Sequence, residues 1–235
     1  IKSGKSNIII GTHALFQKDV IFNNLGFVVI DEQHRFGVNQ RQKLLSKSNN
    51  PNLMAMTATP IPRTLAITYN GDMDLSIIDE LPKNRIPVTT KIIDPNRLGK
   101  VHSFMKKQID DGLQCMVVYP LVEESEKSDL AAAVEMYNYL KKNTFSGHSV
   151  GLIHGKMNPE EKKIIMNRFK QNEIQIIIST TVIEVGIDFP NANVILIENA
   201  NKFGLSQLHQ LRGRLGRGNK EDYCCLLYTS PSPRD

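Results

Sequence analysis

Phe27-Val28-Val29-Ile30-Asp31-Glu32-Gln33-His34-Arg35-Phe36 is the stretch on which the fold turns. Its first four residues are an unbroken apolar run rich in β-branched side chains. Such a run, closed by polar residues, reads as a buried strand of a parallel sheet. It stops at two acids. Open α/β sheets meet their ligands beyond the carboxyl ends of their strands, which is where Asp31 and Glu32 stand. Asp31 suits Mg²⁺, a hard cation that favours carboxylate oxygen. Glu32 suits the orienting or deprotonation of a water. Taken alone, the pair reads equally well as a strand running into an acidic surface turn.

A hydrophobic strand closed by Asp-Glu is also the Walker B arrangement of nucleotide hydrolases. Upstream, the apolar residues 8–10 read as a strand leading into Gly11-Thr12-His13. Gly and Thr after a parallel strand suit close approach of the backbone to a ligand, and equally suit an ordinary strand-to-helix turn. Ser3-Gly4-Lys5-Ser6 imitates the end of a phosphate-binding loop, but no earlier Gly precedes it and a strand, not a helix, follows. Downstream, residues 40–45 read as a short helix and residues 53–56 as a strand ending in Thr57-Ala58-Thr59. Three strands would then end at one edge of one sheet. Residues 64–69 read as helix and 75–78 as a further strand. Two prolines and mixed charge follow, so residues 80–90 are read as a linker between a first lobe, 1–79, and a second, 91–224.

The second lobe repeats the pattern. Residues 88–93 are extended, 98–111 helical, 115–119 a buried strand and 130–142 an amphipathic helix. Residues 150–153 read as a strand ending in His154-Gly155-Lys156. Asn158-Pro159-Glu160-Glu161 is a helix start, with an N-cap, Pro in the first turn and acids at the positive end of the dipole. Strands at 174–179 and 194–197 follow. A helix over 206–215 carries Gln210, Arg212 and Arg214, with Arg217 just beyond. Strands alternating with helices imply a parallel sheet with right-handed crossovers, built twice.

Composition sets wide bounds. The 235 residues suffice for one large domain or two modest ones, and the net charge of +5 permits a polyanionic partner without requiring one. Cys115, Cys224 and Cys225 are too few and too poorly spaced for a disulfide framework or a zinc site. No apolar stretch has the length of a membrane span, and no signal peptide opens the chain, so a cytoplasmic protein is expected. Residues 225–235, CLLYTSPSPRD, back-translate with permitted codons to a string resembling a transposase-end sequencing adapter. They are expected to be read-through and are left out of the fold reading.

The order of the motifs is more specific than any one of them. Asp31-Glu32-Gln33-His34, then Thr57-Ala58-Thr59, then Ser179 to Asp188, then Gln210-Leu211-Arg212-Gly213-Arg214-Leu215-Gly216-Arg217 resemble motifs II, III, V and VI of superfamily 2 helicases. The fuller pattern, over nearly all of residues 7–224, resembles the RecG family of ATP-dependent DNA helicases. The related translocase Mfd typically reads Asp-Glu-Glu-Gln where this chain reads Asp31-Glu32-Gln33-His34. The resemblance implies two RecA-like α/β lobes, the first lacking its amino-terminal part, with ATP and Mg²⁺ between them. It implies that Asp31 holds Mg²⁺ through water, that Glu32 is catalytic, and that Gly186, Asp188 and Gln210 meet the nucleotide. Arg214 and Arg217 would supply charge to the phosphates, Arg217 as the arginine finger, a role typically worth roughly 10³–10⁵ in rate.

By the same resemblance Thr12, His13, Thr180, Thr181, His154 and Lys156 contact the DNA backbone, where hydroxyls and N–H groups position phosphates without reading bases. His34, Thr57 and Thr59 would couple the ATP site to the DNA track. Each of these also has a plain structural reading, as a strand-end cap, a turn or a satisfied histidine. The implied protein is a monomer that moves on branched DNA, such as forks or Holliday junctions, in recombination and repair. Its P-loop and fork-reading wedge would lie upstream, so the segment by itself is expected to hydrolyse no ATP. The other readings are an Mfd-like translocase and a non-catalytic DNA-binding module. The presence of Asp31, Glu32, Arg214 and Arg217 together favours the motor.

Overall fold

A computed structural model describes residues 1–33, 36–57, 74–80, 86–120, 126–180, 191–215 and 220–228. The chain divides into two compact units, Ile1–Asp74 and Leu75–Asp235.

In the first unit β1 (Phe27–Ile30) pairs in parallel with β2 (Asn52–Ala55), Val28 opposite Leu53 and Ile30 opposite Ala55. Helix α1 (Val38–Leu45) crosses between them, as a parallel pair requires. Val28, Ile30 and Leu44 form a small core, joined by Phe16, Phe22, Leu25, Phe36, Leu45 and Leu53. Phe27 and Val29 remain about half exposed, so β1 is covered on one face and not, as its apolar run implied, on both. Residues 8–10 form no strand: Ile8 and Ile10 are exposed and find no ladder partner among the described residues. Residues 75–78 likewise are exposed and outside any sheet. Apolar runs become strands only where another strand takes their N–H and C=O groups. The helix expected over 64–69 lies outside the described residues.

The second unit is a six-stranded, wholly parallel sheet. Its strands are β3 (Thr89–Ile93), β4 (Gln114–Tyr119), β5 (Val150–Ile153), β6 (Ile176–Thr180), β7 (Ala192–Ile197) and β8 (Tyr223–Leu227), in the order β3-β8-β7-β4-β6-β5. Helices cover both faces. Helix α2 (Leu98–Asp110) sets Val101, Met105 and Ile109 against Cys115, Val117, Ile176, Ile178, Val194 and Leu196. Leu140 and Phe145, from the single π turn that ends α3 (Glu126–Tyr139), complete that face. The other face meets Met166 and Phe169 of α4 (Pro159–Lys170) and Leu211 of α5 (Leu205–Arg212). The alternation of Cys115 and Val117 with Met116 and Val118 explains why β4 had to be apolar throughout.

Strand β8 runs through residue 224, the expected end of this lobe. Cys225 and Leu227 are buried, and Cys225 pairs with both Lys91 and Leu196, because the apolar run begun at Tyr223 continues in register. All three cysteines are buried and unbridged. Among the described residues no helix is long and apolar enough to cross a membrane.

The start of α4 follows the sequence reading closely. Asn158 Oδ1 accepts from the Glu161 N–H at 2.8 Å, and Glu161 Oε2 accepts from the Asn158 N–H at 3.3 Å. An N-cap of this kind contributes about 1 kcal/mol. Asn158→Ala is therefore expected to lower the unfolding free energy of the second unit by about 1 kcal/mol, seen as a lower urea midpoint with an unchanged m-value, and Asn158→Ser to restore it; equal losses in both would reject the cap.

Candidate functional site

The carboxyl end of β1 is tied down by backbone hydrogen bonds. The Met56 N–H donates to the Ile30 carbonyl at 2.8 Å, and the Gln33 N–H donates to the Met56 carbonyl at 3.0 Å. The two bonds clamp Asp31, Glu32 and Gln33 against the end of β2, with Thr57 the next residue along. Within that clamp Glu32 has φ of +51°, the left-handed conformation. A residue with a Cβ adopts it at a cost of order 1 kcal/mol, and it persists where the surroundings over-determine it, often at functional sites. The Glu32 N–H donates to Asp31 Oδ1 at 2.9 Å, and Asp31 is exposed. One exposed carboxylate fits Mg²⁺, which usually keeps several waters and takes one or two protein carboxylates plus phosphate oxygens. No group of three or more metal-ligating side chains exists among the described residues. His34 and Thr59 lie outside those residues.

Thr12 and His13 open a short 3₁₀ turn, His13–Phe16, with Thr12 extended and giving no side-chain cap. His13 is exposed, yet its ring stacks on Phe36 at 4.7 Å between centroids, with the planes 27° apart. The ring contact to Phe36 could not be read from the sequence.

In the second unit, His154 directly follows β5, which ends at Ile153. The Met157 N–H donates to the His154 carbonyl at 3.3 Å, and Lys162 Nζ of α4 donates to the Gly155 carbonyl at 3.0 Å, which ties the Gly155-Lys156-Met157 turn to the helix. Burial and, after it, the nearby Lys162 push the His154 imidazole below its ordinary value. The permanently cationic group of this turn is Lys156, which is exposed.

Thr180 closes β6 and is only 1% exposed; its hydroxyl is buried without a hydrogen-bond partner, while the Ser179 hydroxyl donates to the Thr180 carbonyl. The Thr180 hydroxyl therefore faces the interior of the second unit, packed away from solvent. Gln210 is half-buried on α5. Arg214 sits in the turn after α5, 8% exposed, with its N–H donating to the Leu211 carbonyl at 3.1 Å. Burying a guanidinium is costly unless it is paired, and Arg214 is engaged by neighbouring groups. Arg212 is exposed and donates to His209 Nδ1 at 3.2 Å. Thr181, Gly186, Asp188 and Arg217 lie outside the described residues.

The sequence reading passed over Glu198. It follows β7 directly and is buried, and burial raises its carboxyl from an ordinary 4.5 to about 7. Tyr119 stands opposite Thr180 across β4 and β6, and the register of β4 with β7 brings Glu198 level with Tyr119. Thr180, Tyr119 and Glu198 thus form one polar row at the carboxyl edge of the three central strands. Its signal was present: Ile195-Leu196-Ile197-Glu198 repeats the pattern of Val28-Val29-Ile30-Asp31.

Residues 97–219 match the helicase conserved C-terminal domain, and residues 1–67 match the DEAD/DEAH box helicase domain. The chain belongs to the helicase family. It is 50% identical over 232 residues to the ATP-dependent DNA helicase RecG of Synechocystis sp., covering 99% of this chain and 28% of that protein. The structure of RecG bound to a three-way DNA junction superposes with a TM-score of 0.72 at 45% identity, over 98% of this chain and 30% of that one. The helicase MrfA bound to DNA, 18% identical, shares the fold with a TM-score of 0.59 over 88% of this chain and 30% of its own. The RecG resemblance and the RecA-like fold class are borne out. The chain spans about three tenths of the length of the relatives it matches.

The Glu198 proton gives a test of the polar row. The folded chain holds that proton more tightly than the unfolded chain, so its stabilisation is complete below about pH 4.5 and is lost as the pH rises through about 7. His102 and His154, whose imidazoles are lowered, work in the opposite direction, so the comparison is made against Glu198→Gln. The variant is expected to match wild type in unfolding free energy at pH 4 and exceed it at pH 8 by on the order of 3 kcal/mol. An equal difference at both pH values would contradict the buried, proton-holding carboxyl.

Proposed function

We propose that this chain is the motor segment of an ATP-dependent DNA helicase of RecG type, acting within a longer protein that moves on branched DNA in recombination and repair. The observation that carries the proposal is the clamped turn after β1, where Glu32 is held left-handed beside an exposed Asp31. It is supported by the identity to RecG over nearly the whole chain.

In this reading Asp31 would hold Mg²⁺ through water, and the ion, when bound, would supply positive charge to the phosphates of ATP. Glu32 accepts a proton from, or orients, the attacking water. Its fixed backbone is what that role asks for, since a general base must be within hydrogen-bond reach of the proton it takes. Arg214 and Arg217 bring planar, permanently charged forks that match phosphate oxygens. Gly186, Asp188 and Gln210 hold the nucleotide, and His34, Thr57 and Thr59 couple the acids to the DNA track. Thr12, His13, Thr181, His154 and Lys156 meet the phosphate backbone. Thr180, with its hydroxyl inside, positions Thr181. The working protein is a cytoplasmic monomer.

Two measurements test this. In the full-length protein carrying this segment, Glu32→Gln is expected to lower kcat for Mg²⁺-dependent ATP hydrolysis roughly 10²–10⁴-fold with little change in KM; turnover within a few-fold of wild type would sink the catalytic assignment. For binding to a single-stranded oligonucleotide, Lys156→Ala is expected to reduce the slope of log K against log salt by about 0.7, the share of one phosphate. A slope insensitive to Lys156 would take this turn off the DNA.

A further inference from the structure

Three aromatic rings from two distant segments close on one another in the first unit. His13 stacks on Phe36, and Phe16 meets both edge-on, at 5.8 Å from His13 and 5.4 Å from Phe36 between centroids. Phe16 and Phe36 also pack on the core formed by Val28 and Ile30, the strand that delivers Asp31 and Glu32. The Phe36 N–H donates to the Gln33 carbonyl at 3.1 Å, and Gln33 is itself pinned to Met56. The turn at residues 12–13 is therefore joined to the acidic turn by a short path. It runs from the His13 ring to the Phe36 ring, and from the Phe36 backbone to Gln33, next to Glu32. Each link is a directional contact, so moving the His13 turn moves the Phe36 ring plane or breaks the stack. Glu32 is sensitive to such a movement, because its left-handed backbone is held by its surroundings and not by its own preference.

We propose that Phe36 is a positioning residue that transmits DNA engagement at the His13 turn to the Glu32 turn through the His13–Phe36 stack. The proposal rests on the helicase reading above. Phe36 touches neither DNA nor nucleotide in it; its effect is on how strongly one site responds to the other. An aromatic pair of this geometry is worth enough to shift an equilibrium by roughly two- to tenfold.

The experiment is steady-state ATP turnover by the full-length protein, with and without a three-way DNA junction, for wild type, Phe36→Leu and Phe36→Tyr. Leu keeps apolar bulk over Val28 and Ile30 while removing the planar stack; Tyr keeps both. Near-UV circular dichroism verifies that each variant is folded. Phe36→Leu is expected to lose roughly two- to tenfold of the DNA stimulation, with DNA-free turnover and the KM for ATP within about twofold of wild type, and Phe36→Tyr to restore the stimulation. Unchanged stimulation in Phe36→Leu overturns the proposal. So does an equal fall in DNA-free and DNA-stimulated turnover, which marks a purely structural residue. A wild-type protein whose turnover ignores DNA overturns the helicase reading, and this proposal with it.

Discussion

A parallel strand must hand its backbone N–H and C=O groups to neighbours running the same way, and that requirement sends every connection over a face of the sheet and back to the same starting edge. All six strands of the second unit obey it, so their carboxyl ends fall along one side. His154, Thr180 and Glu198 share that edge because they follow β5, end β6 and follow β7, not because they are near in sequence. The same rule in the first unit brings the end of β2 beside the end of β1, and two backbone hydrogen bonds then fix the Asp31-Glu32-Gln33 turn.

Local chemistry decided which elements could be read in advance. The α4 start was legible because Asn158, Pro159 and Glu161 each have a positional meaning within one helical turn. Strands β4, β5 and β7 were legible because burial on both faces leaves an unbroken apolar run. Residues 8–10 and 75–78 carry the same signal, yet neither becomes a strand, since an apolar run says that a segment wants cover and not that a partner strand is at hand. The π turn at Leu140–Thr144 was invisible for a different reason: it depends on placing Leu140 and Phe145 together into the core, a tertiary demand.

The site divides along the same line. Asp31, Glu32 and Arg214 were named from motif order, and the structure adds what motif order does not contain: a left-handed Glu32 and a buried Arg214. Thr180 was read for its hydroxyl, whose burial in a row with Tyr119 is set by the pairing of β4 with β6 and could not be seen from its place at a strand end. His13 was read for its polar ring alone, whereas its partner Phe36 lies 23 residues away and no spacing rule links the two. Motifs name the chemistry at a position; distant packing determines whether that chemistry is held still.

The proposed motor requires Glu32 and Arg214 to serve one reaction in the full-length protein. A double-mutant cycle on ATP turnover in the full-length protein, with Glu32→Gln, Arg214→Ala and the pair, tests it most directly. Residues that act as a unit in one transition state give strongly non-additive losses, so the double variant should be hardly worse than the poorer single variant. Losses that multiply would mean that Glu32 and Arg214 act independently and do not share a transition state.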